Sequence, residues 1–154
     1  MKKPVKWSVA IIIACAILII FISILPKSEK QRAAEEQKTE DLAKIKQQIR
    51  EISADQQIAK FISCAKVEDD GSVCQIWVEL LFEPDDYQQV KTWTDAVCES
   101  SKRILDAAGI SRDISVWANR PDPKKKGNVI LYGRTFYSHY TGESEFKSAE
   151  ELNL

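Results

Sequence analysis

From position 7 to position 25 the chain reads WSVAIIIACAILIIFISIL, nineteen residues without a charged side chain. As an α-helix rising 1.5 Å per residue, such a run is about 28 Å long, close to the roughly 30 Å of hydrocarbon in a bilayer. Because it is apolar on every side, it predicts a transmembrane helix around which the rest of the 154 residues is organised. A cleaved secretory signal has a shorter apolar core, about 7 to 15 residues, closed by a small-x-small site. Here the run ends in ISILPK with no such site, so a retained signal-anchor is expected. Residues 12–15 (IIAC) look like a bacterial lipoprotein cleavage box, but the apolar run continues for ten residues past Cys15. Cys15 therefore reads as a small apolar residue within the helix.

Lys2, Lys3 and Lys6 precede the run, and Lys27, Lys30 and Arg32 follow it, so counting Lys and Arg on the two sides comes close to a tie. The basic tail of residues 1–6 ahead of a long first apolar segment favours a cytoplasmic N-terminus. That places residues 27–154 on the periplasmic or extracytoplasmic side of the cell membrane, in a single-pass arrangement whose contact with the lipid bilayer runs through residues 7–25. Three of the 22 basic residues precede the run, which leaves 19 against 23 acids and a net charge of −4 beyond it. Bulk charge of that sign draws the exported portion neither to nucleic acid nor to anionic lipid.

Residues 26–56 form a linker whose segment 28–56 lacks Gly and Pro and is rich in Ala, Glu, Gln, Lys and Arg, which predicts a helical stalk. Leu42, Ile45, Ile49 and Ile52 recur at spacings of three, four and three, one apolar stripe on the second half of the helix. Positions 35 and 38, on the same face upstream, are Glu and Lys, so the first half is polar all round. The stripe either docks on the protein's own sheet or pairs with a second copy, and two heptads are too few for an established coiled coil.

Residues 57–140 carry the alternation of a globular domain. Residues 58–67 and 72–82 are β-like runs separated by Glu68-Asp69-Asp70-Gly71, a hairpin signal. In the second run Cys74, Ile76, Val78, Leu80 and Phe82 share one face, the one expected to be buried. Pro84-Asp85-Asp86 predicts a turn and N-cap for a helix over 87–108, stopped by Gly109, with Val90, Trp93, Val97, Ile104, Leu105 and Ala108 inward. Strands are predicted at 113–118 and 129–137, and residues 141–154 as a polar tail. The expected fold class is α+β: a two-layer sandwich in αββαββ order with a four-stranded antiparallel sheet and both helices on one face. In architecture alone, this order behind a span and stalk resembles the inner-membrane platform proteins of type II secretion and type IV pilus systems, and small BON-type lipid-associated domains.

If Val67 pairs with Gly71, Cys64 faces Cys74 at the about 4.5 to 5.5 Å a disulfide accepts, and the two would be linked in an oxidising compartment. Cys98 remains a buried thiol. Nine, twenty-three and forty residues separate Cys64, Cys74, Cys98 and His139, unlike the close pairs of structural zinc, and His139 reads as a strand-end surface residue. There is no Gly-rich phosphate loop, G-x-S-x-G or H-E-x-x-H. No cofactor, metal, catalytic residue or small-molecule substrate is indicated. The alternation places Trp77 and Trp117 on the sheet side away from the helices, and Tyr132, Arg134 and Phe136 join them if Val129 and Leu131 face in.

An aromatic face with an arginine suits protein docking. The expected function is thus a membrane-anchored interaction or assembly module, not an enzyme, with a membrane or exported protein or a homodimer as partner. One alternative is a thiol-redox protein using Cys98 or the Cys64/Cys74 pair. The other is a cytoplasm-facing domain stacking single-stranded nucleic acid, which the acidic net charge opposes.

Overall fold

The computed structural model describes residues 29–55 and 58–153. The run 7–25, the tail before it and Cys15 lie outside the described residues, among which no helix is long and apolar enough to cross a membrane. The chain divides into two compact units between Thr39 and Glu40. Helix α1 (Glu29–Glu51) spans that division and ends in a single 3-10 turn, Ile52–Ala54. Side chains from Gln31 to Asp41 are exposed, matching the all-polar first half. Further on, Leu42 is half-buried, Ile45 and Ile49 are buried, and Ile52 packs on the same core. The apolar stripe is therefore covered by the chain's own sheet.

That sheet has five strands: β1 (Ile62–Asp69), β2 (Val73–Leu80), β3 (Asp113–Pro121), β4 (Val129–Tyr137) and β5 (Ser144–Ser148), in spatial order 1-2-3-4-5. The neighbours β1/β2, β3/β4 and β4/β5 are antiparallel, but β2 and β3 are parallel, so the sheet is mixed and not the four-stranded antiparallel one expected. The reason lies in the connection. Helix α2 (Tyr87–Ala107) has 21 residues, about 31 Å at 1.5 Å each, long enough to carry the chain back over the whole sheet. β3 then starts at the end where β2 started, and adjacent strands joined by such a crossover must run the same way.

Local chemistry fixes the ends of α2. The Asp86 carboxylate accepts the Gln89 N–H (2.9 Å), while the Gln89 side-chain oxygen accepts the Asp85 N–H (3.2 Å), a reciprocal cap. At the other end Gly109, at φ +68°, lets its own N–H reach Asp106 O (3.0 Å) and the Ile110 N–H reach Leu105 O (2.9 Å). Val90, Val97 and Leu105 are buried and Trp93 and Ile104 pack on the core, as the apolar spacing predicts. Ala108 is exposed, and the stripe takes in Thr94, Cys98 and Ser101 instead. Against it lie Cys74, Ile76, Val78 and Leu80 of β2 and Ile114, Val116 and Ala118 of β3, each at most 1% exposed. Phe61 stacks on Trp93 with ring centroids 4.9 Å apart.

Two further expectations are corrected. Cys64 lies opposite Val78, and Cys74 opposite Asp69, so the pair expected to face each other is offset along the hairpin and Cys64, Cys74 and Cys98 are free thiols. The turn is centred on Gly71 and Ser72, further along the chain than foreseen. The Asp70 carboxylate accepts the Ser72 and Val73 N–H groups (both 2.9 Å) and Asp69 accepts the Gly71 N–H (2.7 Å), with Gly71 at φ +96°. The bonds from Val73 and Ser72 hold the Asp70 carboxyl down at about 2. A bulge at Ala65 then takes back one residue of that offset, so that Cys64 faces Val78 and not Glu79.

The polar tail also joins the sheet. In β5, Phe146 opposite Thr135 packs on the core and Ser148 opposite Gly133 is buried. Both outer edges have a side chain on an outward N–H: Ser53 Oγ accepts from Cys64 N (3.1 Å), and the Glu151 carboxylate from Ser148 N (2.7 Å). β5 needs Gly133, where an added Cβ would lie 2.7 Å from Lys147 O and 2.8 Å from the Phe146 ring. Gly133→Ala is expected to destabilise the protein by about 1 to 3 kcal/mol through overpacking, read as a lower midpoint in urea unfolding. An unchanged midpoint would mean that β5 does not pack this closely.

Candidate functional site

Both helices pack on one face of the sheet, and within the 40–154 unit no described helix or strand covers the other. Along that uncovered face the register lines up one residue from every strand: Lys66 opposite Trp77, Trp77 beside Trp117, Trp117 opposite Arg134, and Arg134 opposite Lys147. At about 4.8 Å between strands the row is about 19 Å long. Lys66 Nζ sits 5.2 Å from the centre of the Trp77 ring. The Arg134 guanidinium lies 5.0 Å from the Trp117 ring and 5.3 Å from that of Phe136, one row further along. Each contact sets a cation near an aromatic π-system, worth about 0.5 to 2 kcal/mol depending on desolvation.

The row's charged groups are not equivalent. Lys66 pairs with Glu68 (2.5 Å) and Lys147 with Glu145 (3.3 Å), exposed pairs of small energetic weight. Among the described residues Arg134 has no carboxylate partner, and its buried Nε has no hydrogen-bond partner. Such a group sits at a cost of about 1 to 3 kcal/mol unless something else satisfies it.

Of the five residues assigned to this face by alternation, Trp77, Trp117, Arg134 and Phe136 come together. Tyr132 does not. It is the extra residue where the pairing jumps from Ala118–Gly133 to Asn119–Leu131, and it packs against the helix-side core. Leu131 correspondingly shares the uncovered face with Asn119. Phe146 packs on the helix side too, and leaves the tryptophans uncovered by the tail.

The remaining candidates stay apart. His139 is exposed at the end of β4, with its ring beside Tyr140, and no group of three His, Cys, Asp or Glu residues among the described ones is arranged to hold a metal ion. The acidic turns do the work of turns: Asp69 and Asp70 close the hairpin, Asp85 and Asp86 cap α2, and Glu83 pairs with Arg120 (3.1 Å). A cleft of about 430 Å³ between α2, β4 and β5 is lined in part by Asp95, Cys98, Glu99, Lys102 and Thr135. Its charged groups are already engaged: Asp95 by Lys91 and Thr135, Glu99 by Arg103, and Lys102 by Asp106. Thr135 donates to Asp95 (2.7 Å), which leaves its oxygen to accept from buried Thr94 (2.8 Å). No sequence pattern pointed to this link between residues some forty positions apart.

Burial pushes the Cys74 and Cys98 thiols up to about 12, reinforced by Asp69 at the first and Asp95 at the second. It raises Cys64 as well, partly offset by Ser53. Activated cysteines show the opposite shift. At mildly alkaline pH a thiol-specific disulfide reagent is expected to leave Cys74 and Cys98 of the folded full-length chain unmodified over a time that suffices to label both in denaturant. Fast native labelling of either one would restore the thiol-redox alternative.

Compared with protein-family models, with curated proteins and with solved structures, the chain matches none.

Proposed function

We propose that the chain is a single-pass membrane-anchored protein whose 40–154 unit is an extracytoplasmic docking module, binding a protein through the uncovered face of its sheet. The observation that carries this reading is the Lys66–Trp77–Trp117–Arg134–Lys147 row, with Arg134 set between two aromatic rings and left without a carboxylate partner among the described residues. Trp and Arg dominate interface hot spots because large, stiff side chains bury much area at little entropic loss. Glu68, Glu79 and Glu145 on the same face oppose a phosphate backbone, which favours protein over nucleic acid as the occupant. The anchor rests on the uncharged run 7–25, and Ile45 and Ile49 of the stalk stripe are buried in the chain's own core, which leaves the sheet face for a partner.

Two measurements test this. A reporter active only after export, fused behind Leu154, is expected to be active, and the full-length chain to sediment with membranes. A soluble full-length chain without detergent removes the anchor. A photo-reactive residue placed at Gln75, on the same face, is expected to give protein adducts in cells, and Trp77→Ala with Trp117→Ala to weaken that capture by about thirtyfold, the equivalent of about 2 kcal/mol. Adduct yield unchanged in a folded double variant removes the docking face, and adducts to nucleic acid favour the cytoplasmic alternative.

A further inference from the structure

Three charged groups on the docking face have no ion pair among the described residues: Asp113, at the end of the face, which accepts the His139 N–H (2.7 Å), and two nearer its middle that are opposite in sign. Arg134 is one. The other is Glu79, on the same face because Val78 and Leu80 on either side of it are buried against the helices. Glu79 lies two residues beyond Trp77 on β2, whereas Arg134 is level with Trp77 on β4, two strands away. Two strand spacings and two residues put them about 12 Å apart. The point midway between them falls on the central strand β3, at Ala118, flanked on the outer face by Trp117 and Asn119.

That placement is what a self-complementary surface needs. In a two-fold dimer one patch meets itself, so any residue of one copy that meets a second residue of the other is matched by the reverse contact. We infer that the uncovered face docks on the same face of a second copy about a two-fold axis passing over β3, with Arg134 of each copy against the partner's Glu79. The axis lies parallel to the two faces and perpendicular to the line from Arg134 to Glu79. Both ion pairs then form at once, equally far from the axis, with Trp77 and Trp117 of each copy enclosed between them. Lys66 and Lys147 fall over neutral positions or beyond the partner's strands, and the two copies of Glu68, which meet near the axis, each keep the ion pair to their own Lys66. The guanidinium gains the carboxylate that its own chain does not supply, in a site walled by rings where a charge pair is stronger than in water. Tethering by the anchor would concentrate the copies in two dimensions.

This inference rests on the docking reading and narrows it to one occupant. The test uses the full-length chain in density-matched detergent, followed by sedimentation velocity over a range of concentrations. The expected result is a concentration-dependent dimer. Arg134→Glu and Glu79→Arg each weaken it by at least about tenfold, and the two together restore it to within about threefold, because the double swap re-forms both pairs in reverse. Glu79→Arg, at a half-exposed position, keeps the test open if Arg134→Glu fails to fold. A monomer at all concentrations, a dimer indifferent to both single swaps, or a double swap that restores nothing overturns the inference. If the dimer fails while the two tryptophans still govern capture in cells, the face binds a different protein and the docking reading stands; if neither survives, both fall.

Discussion

The crossover through α2 is the constraint on which the rest depends. A helix that returns the chain across the full sheet makes β2 and β3 parallel neighbours, and parallel pairing puts Trp77 beside Trp117. An antiparallel pair would have set Trp77 against a different part of β3 and broken the row of aromatic and cationic residues. The same helix packs on β3, β4 and β5 from one side, the turn after α1 meets β1, and Ile45 and Ile49 of α1 join the same core, so the apolar half of each strand is enclosed and the other half is left uncovered. One-sided burial thus produces both the core and the candidate site. The alternation that hides Ile76, Val78, Val116 and Ala118 is the alternation that presents Trp77, Glu79 and Trp117.

What could be read in the amino-acid order was whatever depends on neighbours within about a turn of helix or a pair of residues along a strand. The α2 cap at Asp86, its stop at Gly109, the β2 inner face and the stalk stripe belong to that class, as does the division of residues between the two faces for Trp77, Trp117, Arg134 and Phe136. What was not legible depends on irregularity or on long-range pairing. A hairpin turn held by the Asp69 and Asp70 carboxylates, centred further along the chain, displaced Cys64 from Cys74, and the bulge at Ala65 took back one residue of that offset. The jump in register after Ala118 rotated Tyr132 to the other side. β5, with five residues and Phe146 as its single large apolar side chain, gives too weak a periodic signal to separate it from a polar tail, and only Gly133 on the neighbouring strand makes room for it.

The chemistry of the interior is conservative. Thr94, Thr135 and Asp95 form a closed relay of hydrogen bonds between α2 and β4, placing polar groups in the core without leaving their hydroxyls unmet. The two most buried thiols sit beside carboxylates that disfavour their ionisation. Reactive potential on this fold is concentrated instead at the surface, in an arginine and a glutamate that no residue described here neutralises.

The small hydroxyl of Ser53 and the carboxylate of Glu151 have a wider consequence. A five-stranded sheet has two rims, and an unpaired rim invites sideways growth into cross-β fibrils. With a side-chain oxygen seated on an outward amide at either rim, lateral polymerisation is discouraged, and stacking of flat surfaces becomes the safer geometry for encounter.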